Sequence, residues 1–247
     1  MNAQSNIIQP LLRGVPPKET NRRLKLFLFG EPGVGKSYFS THFNSPYYID
    51  TERGVARAKY IDNIIRNQGI VFYTRKFDEL YQEIVALSAV QHPYQTLVID
   101  SITTIYNNLI EEELLKIENA GRRPKIAEEY QRANMQFKKL VGLLLDIDMN
   151  VIVTAHAKKE YGAEMQVIGT TFDAYKKIAF MFDVVIEAFI KKGRYMAISK
   201  KSRLLDLMPE QEFEFSFSEF SRLYKKELEY FQPKPTVARE EGAKNAE

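Results

Sequence analysis

The chain has 247 residues, 45% of them hydrophobic, enough for one full α/β core, and its lack of cysteine excludes disulfides and thiolate metal sites. No run is apolar for long enough to span a membrane, and the first ten residues carry no signal-peptide pattern, so no membrane association and a cytoplasmic location are expected. A net charge of +3 is too small to imply nucleic acid by itself, so the placement of the cations matters more.

Residues 1–20 hold Gln, Asn and three prolines with little periodicity, and read as an N-terminal arm. Residues 24–29 read as a buried strand, and a helix starts over 38–43. A short strand follows at 46–50, a helix at about 57–67 and a third strand at 70–73. Helical periodicity covers 77–90, and the β-branched run 96–100 ends in an acid. A long helix is expected from 102 to about 118, a break at 121–125, and a second helix from about 126 to 147. A strand follows at 150–155, then a hairpin of 182–190 and 195–199 turning at 191–194, then a strand at 212–217. The polar, charged stretch 233–247 reads as a disordered tail, which leaves 21–232 as the core. Strands alternating with helices predict a mostly parallel twisted sheet flanked by helices. In such sheets ligands sit beyond the carboxyl ends of the strands, and Gly30, Asp50, Asp100 and His156 all fall there.

Gly30, Glu31, Pro32, Gly33, Val34, Gly35, Lys36 and Ser37 match G-x-x-x-x-G-K-S/T between a strand and a helix, and Tyr38 continues into that helix. Glycines let backbone N–H groups converge on phosphate oxygens. Residues 30–38 are therefore the candidate site for a nucleoside triphosphate. Lys36 is expected at the β- and γ-phosphates, and Ser37 and Asp100 at Mg²⁺. A chance glycine-rich turn does not account for the flanking strand and helix.

Other positions leave two readings open. Glu52 orients a water for in-line attack, or is a loop acid beside Arg53. His156 contacts the γ-phosphate, or is a hydrogen-bonded histidine at a strand end. His42 and His92 have no such context. The run Lys200, Lys201, Ser202, Arg203 is a solvated face, or reaches the triphosphate of a neighbouring subunit. Tyr60 stacks on a base, or packs its helix.

Together these motifs resemble the RecA-like branch of P-loop ATPases over about residues 24–217. Within it the chain looks most like core-only phage nucleotide-binding proteins related to the Sak-type single-strand annealing family. The signatures are residues 30–37, 48–54, 97–103, 151–158 and 183–187. The resemblance implies a RecA-like core with a C-terminal antiparallel hairpin, using ATP and Mg²⁺. It implies Glu52 as the catalytic glutamate, His156 as the γ-phosphate sensor, and Lys201 and Arg203 as the basic pair that crosses a subunit interface. The sequence lacks the N-terminal oligomerisation and C-terminal domains of full recombinases, and His156 stands where glutamine is commoner.

Two segments are candidates for single-stranded DNA. The loop 157–171 after His156 brings Lys158 and Lys159 for backbone phosphates and Tyr161 for stacking, at the place where RecA-like proteins carry a mobile DNA-binding loop. The connection 121–125 brings Arg122, Arg123 and Lys125, or is a solvated helix connection. The expectation is an ATP-hydrolysing, single-stranded-DNA-binding protein that promotes annealing or recombination in a phage-infected host cytoplasm. It would form a homo-oligomeric ring or filament, with a single-strand-binding protein as a further partner. The alternatives are a ring-type, helicase-like or packaging motor and an ATP-dependent switch that binds a protein.

Overall fold

The computed structural model describes residues 23–161, 163, 166–203 and 210–224. The expected arm at 1–20, the tail at 233–247 and part of the segment after Tyr161 lie outside them. In chain order the described elements begin with β1 (Lys25–Gly30), α1 (Lys36–Ser40), β2 (Pro46–Asp50), α2 (Ala58–Arg66) and β3 (Ile70–Tyr73). They continue through α3 (Phe77–Ala89), β4 (Thr96–Asp100), α4 (Ile102–Asn119), α5 (Glu128–Asp146) and β5 (Asn150–Tyr161). The last are β6 (Val167–Phe172), α6 (Ile178–Met181), β7 (Val184–Lys191), β8 (Arg194–Ser202), β9 (Glu212–Glu214) and α7 (Phe217–Leu223).

The sheet runs β3-β2-β4-β5-β1-β7-β8-β9, parallel from β3 to β7, with β8 and β9 added antiparallel. β1, β2 and β4 are buried at every position because helices cover both faces. The period of two sorts their side chains. Phe27, Phe29, Ile99 and Val153 meet α3, α4 and α5, whereas Leu26, Leu28, Val98 and Ile152 meet α1, α2 and α7. Each such side chain contributes roughly 1.5–3 kcal/mol on burial. Register aligns the strand ends: Gly30 lies beside His156, and Asp50 beside Asp100. The expected fold class is the one observed, including the C-terminal hairpin, which turns at Lys192 and Gly193 with φ of 51° and 76°.

Three elements differ from expectation. The first helix, expected to start over 38–43, begins at Lys36 and already ends at Ser40. The segment after His156 is a β-hairpin rather than a loop. β5 runs on to Tyr161 and pairs antiparallel with β6, from Ala157 opposite Phe172 to Tyr161 opposite Val167. β9 stops at Glu214, and α7 replaces the end of the expected strand. The alternating Phe213, Phe215 and Phe217 read as a strand, but Ser216 accepts a hydrogen bond from the Glu219 N–H and starts a helix. Finally, α4 and α5 pack against each other, with Tyr106 donating to Asn134 and Gln136 donating to Glu113. Residues 121–125 lie in the connection between these two helices, past the end of α4, which is about 27 Å long from its start at the sheet edge.

Candidate functional site

β1 ends where its backbone must leave the sheet against β7. A Cβ on Gly30 would lie 2.2 Å from the Ala188 carbonyl oxygen, so only glycine keeps the strands paired there. Gly33 and Gly35 take φ of 83° and 92°, the left-handed region, and wrap the loop back toward α1. α1 has only five residues, so the loop's converging N–H groups matter more for an anion than a helix dipole. Lys36 closes the loop from inside. Its Nζ donates to the carbonyls of Gly30 at 2.7 Å and Glu31 at 2.9 Å. Burial pushes its pKa down, opposed by the nearby charges of Asp100, Glu52 and Glu31. A triphosphate would supply this desolvated ammonium with the counter-charge that the loop carbonyls replace only in part.

Asp100 is buried at the end of β4. One carboxylate oxygen accepts from Thr154 Oγ1, and the other from Tyr48 Oη at 2.7 Å, which also pairs with Ser40 Oγ at 2.9 Å. These bonds aim the carboxylate and leave each oxygen a further lone pair. The hydroxyl of Ser37 and this carboxylate are hard oxygen donors that suit Mg²⁺. Among the described residues no group of three or more His, Asp or Glu could hold a metal ion. A magnesium ion here would therefore complete its shell with phosphate and water oxygens.

Glu52 follows β2 and reaches across the strand ends. Its Oε1 accepts from Ser101 Oγ at 2.7 Å and Thr104 Oγ1 at 2.6 Å, and His156 Nε2 lies 3.0 Å from the same oxygen. The bond from His156, helped by those from Thr104 and Ser101, holds the carboxyl down at about 2 against the opposing effect of burial. The same contact with Glu52 raises the imidazole pKa, again against burial. Glu52 and His156 thus form a half-exposed ion pair facing Lys36 and Asp100.

Two residues to which the sequence assigned no individual role hold this arrangement. Asp50, 1% exposed, accepts from the N–H groups of Glu52 at 3.0 Å, Gly54 at 3.2 Å and Val55 at 3.1 Å. Thr51 Oγ1 donates to the Ser101 carbonyl and accepts from the Ser101 N–H, both at 2.9 Å. The available signal was an acid ahead of a glycine at a strand end, which is the composition of a side-chain-capped turn.

Beside the phosphate loop opens a cleft of about 1100 Å³ whose walls include Gly33, Tyr38, Lys59, Tyr60 and Phe217. Tyr38 and Tyr60 meet edge-on at 5.8 Å, and the Lys59 ammonium lies 4.2 Å from the centre of the Tyr38 ring. Tyr60 therefore both packs against its neighbour and lines the cleft.

The other predicted positions lie elsewhere. Lys201 and Arg203 sit at the opposite edge of the sheet, where the Arg203 N–H bonds Asp183 and the Asp183 N–H bonds Lys25. Lys201 is not an extended finger, because its Nζ is bound by the carbonyls of Ala179, Phe180 and Phe182. Burial lowers its pKa, as does the neighbouring charge of Arg203. Arg203 pairs with Asp183 at 3.3 Å. On the β5–β6 hairpin Lys158 pairs with Asp173 at 3.0 Å, Lys159 is exposed and Tyr161 ends β5. In the connection between α4 and α5 Arg122 pairs with Glu128, the Lys125 N–H also bonds Glu128, and Arg123 is exposed. His42 and His92 bond the carbonyls of Tyr38 and Leu87, as ordinary helix-side histidines do.

No curated protein gave a significant match. Among solved structures the chain is similar to the RadB recombinase, at 18% identity over 79% of this chain and 89% of that one, with a TM-score of 0.45. It is also similar to the KaiC-like protein PH0186 of Pyrococcus horikoshii OT3, at 14% identity over 79% and 86%, with a TM-score of 0.49. Residues 22–214, which span every contact described above apart from those of α7 and its cap, match the family model of the AAA domain. The chain belongs to that AAA domain family and is a P-loop ATPase.

Proposed function

We propose that the chain hydrolyses ATP with Mg²⁺ at residues 30–38 and couples that reaction to binding single-stranded DNA, promoting annealing or recombination. On this reading it is a phage-type protein related to the Sak-type annealing family and works as a homo-oligomer. One observation carries the proposal. Lys36, Asp100, Glu52 and His156 converge at one sheet edge, and β5 continues from His156 directly into the hairpin bearing Lys158 and Lys159.

In this mechanism Lys36 moves from the loop carbonyls to the β- and γ-phosphates. Bound Mg²⁺, held by Ser37 and Asp100, would offset charge on the phosphate oxygens. A carboxyl with a pKa of about 2 is too weak a base to deprotonate water near neutral pH. Glu52 therefore acts by accepting a hydrogen bond from the attacking water and aligning it. The water oxygen bonds to the γ-phosphorus, the bond to the bridging β-oxygen breaks, a proton of that water passes to a γ-phosphate oxygen, and ADP and phosphate leave. His156 faces the γ-phosphate and carries the hairpin, so its contact with nucleotide biases the hairpin's position. The Asp173 N–H bonds the His156 carbonyl, and Thr103 bonds both residues, which fixes the hairpin root to α4.

The test is binding to labelled single strands across a salt series, with and without ATP, using Lys36→Ala as the nucleotide-blind control. Affinity that falls with salt and changes with ATP in the wild type alone is expected. No binding at low salt in either state ends the DNA reading. The exposed apolar side chains Val167 and Ile168 on β6 favour a second reading, in which the hairpin docks on a protein.

A further inference from the structure

We infer that Asp50 is a positioning residue for Glu52: its buried carboxylate sets the direction in which the Glu52 side chain leaves β2. The inference rests on the proposed role of Glu52. Three backbone N–H groups end on this one carboxylate, one of them from Glu52 itself and two from Gly54 and Val55. Bonds to an ionised acceptor in a buried setting are the strong kind, and they lock a short turn. The turn is tight enough that Arg53 takes a φ of 58° in the left-handed region. The Glu52 Cα is thereby fixed to the end of β2.

Among the described residues the hydrogen bonds of the Glu52 carboxylate come from other elements: Ser101 and Thr104 at the start of α4, and His156 on β5. Those donors can hold the carboxylate only if its backbone is delivered to them. Thr51 adds to this by tying the end of β2 to Ser101 in both directions, and Arg75 Nε donates to the Thr51 carbonyl at 3.0 Å. Among the described residues no hydrogen bond or ion pair joins Asp50 to the phosphate loop or to Lys36, so it can affect turnover without affecting nucleotide affinity. Asparagine in its place offers one oxygen and one NH₂ donor. At least one of the three N–H groups then faces a donor, and the turn relaxes.

The experiment compares wild type, Asp50→Asn and Glu52→Gln. The first readout is the His156 imidazole titration by NMR, assigned among the three histidines with a His156→Gln variant. In the wild type Glu52 raises this pKa. In Asp50→Asn it is expected to fall toward the value seen in Glu52→Gln, because the carboxylate no longer reaches the ring. The second readout is kinetic: kcat falls at least about tenfold while the Mg-ATP dissociation constant stays within about threefold. An Asp50→Asn protein that folds and keeps the wild-type His156 titration and kcat overturns the inference. If that variant does not fold, the wild type decides by amide exchange. Slow exchange at Glu52, Gly54 and Val55 supports the turn, and free-loop rates there overturn it. Wild-type hydrolysis by Glu52→Gln would instead remove the proposed role of Glu52, and the titration would still judge Asp50.

Discussion

A carboxylate that accepts hydrogen bonds from Ser101, Thr104 and His156 is a poor proton acceptor and a good anchor. Its pKa near 2 and the raised pKa of His156 have opposite consequences for stability against pH. A lowered carboxyl pKa contributes stability above its ordinary value of 4.5 and loses it as pH falls toward about 2. A raised imidazole pKa contributes fully below its ordinary value of 6.5 and loses it as pH rises through the folded value. Both contributions are complete in the window between 4.5 and 6.5, inside the wider range in which both partners are charged in the folded protein. Both side chains are 37% exposed, so solvent screening keeps the effect modest. The melting temperature of wild type minus that of Glu52→Gln is therefore expected to peak inside that window and to shrink on either side. A difference that stays flat from pH 4 to pH 8 would show that the pair does not form in solution. The same variant is expected to bind Mg-ATP normally and to turn over about 10²–10³-fold more slowly.

The β5–β6 hairpin marks where the sequence stopped being legible. Central strands announced themselves because burial on both faces demands unbroken apolar runs, as in Leu97, Val98 and Ile99. Past His156 no such demand exists. Lys158, Lys159 and Glu160 are exposed on a two-stranded ribbon, and their composition matches a loop equally well. Lys36 and Asp100 stood out as motif residues at strand ends, whereas Glu52 and His156 kept two readings until the resemblance favoured one, and the structure brings the four side chains to one edge. The roles of Asp50 and Thr51 were not legible, because their partners are backbone groups, which carry no residue code. The ribbon also changes the DNA argument. Its lysines are held in a defined strand register, and Lys158 is drawn toward Asp173 at the hairpin root. Replacing Lys158 and Lys159 with alanine is expected to weaken single-strand binding for all sequences alike. The slope of log affinity against log salt should fall by about one per lost phosphate contact. Unchanged affinity and slope would move the hairpin to the protein-docking reading.

The fold separates its charges by the length of a strand. The phosphate loop lies at the carboxyl edge of the sheet, while Arg203 lies at the amino edge beside Asp183 and the start of β1. β1 spans six residues, so roughly 17 Å of packed sheet stands between Arg203 and the loop of its own chain. An arginine side chain cannot bridge that distance, so any contact of Arg203 with a triphosphate must come from another copy stacked edge to edge. Lys201 is less suited to that role, because three carbonyls hold its ammonium, whereas Arg203 is 54% exposed and, among the described residues, is held by the Asp183 carboxylate at 3.3 Å and the Phe180 carbonyl at 3.5 Å. The consequence is a dependence on concentration. Specific ATPase activity of the wild type is expected to rise with protein concentration as copies associate. Arg203→Ala should match the wild type when dilute and fail to rise when concentrated, with its Mg-ATP affinity in the dilute state unchanged. Light scattering on the same samples reports association independently. Equal activity of wild type and Arg203→Ala across a range in which scattering shows assembly would exclude Arg203 from the neighbouring site, and the basic edge would then serve the fold of its own chain alone.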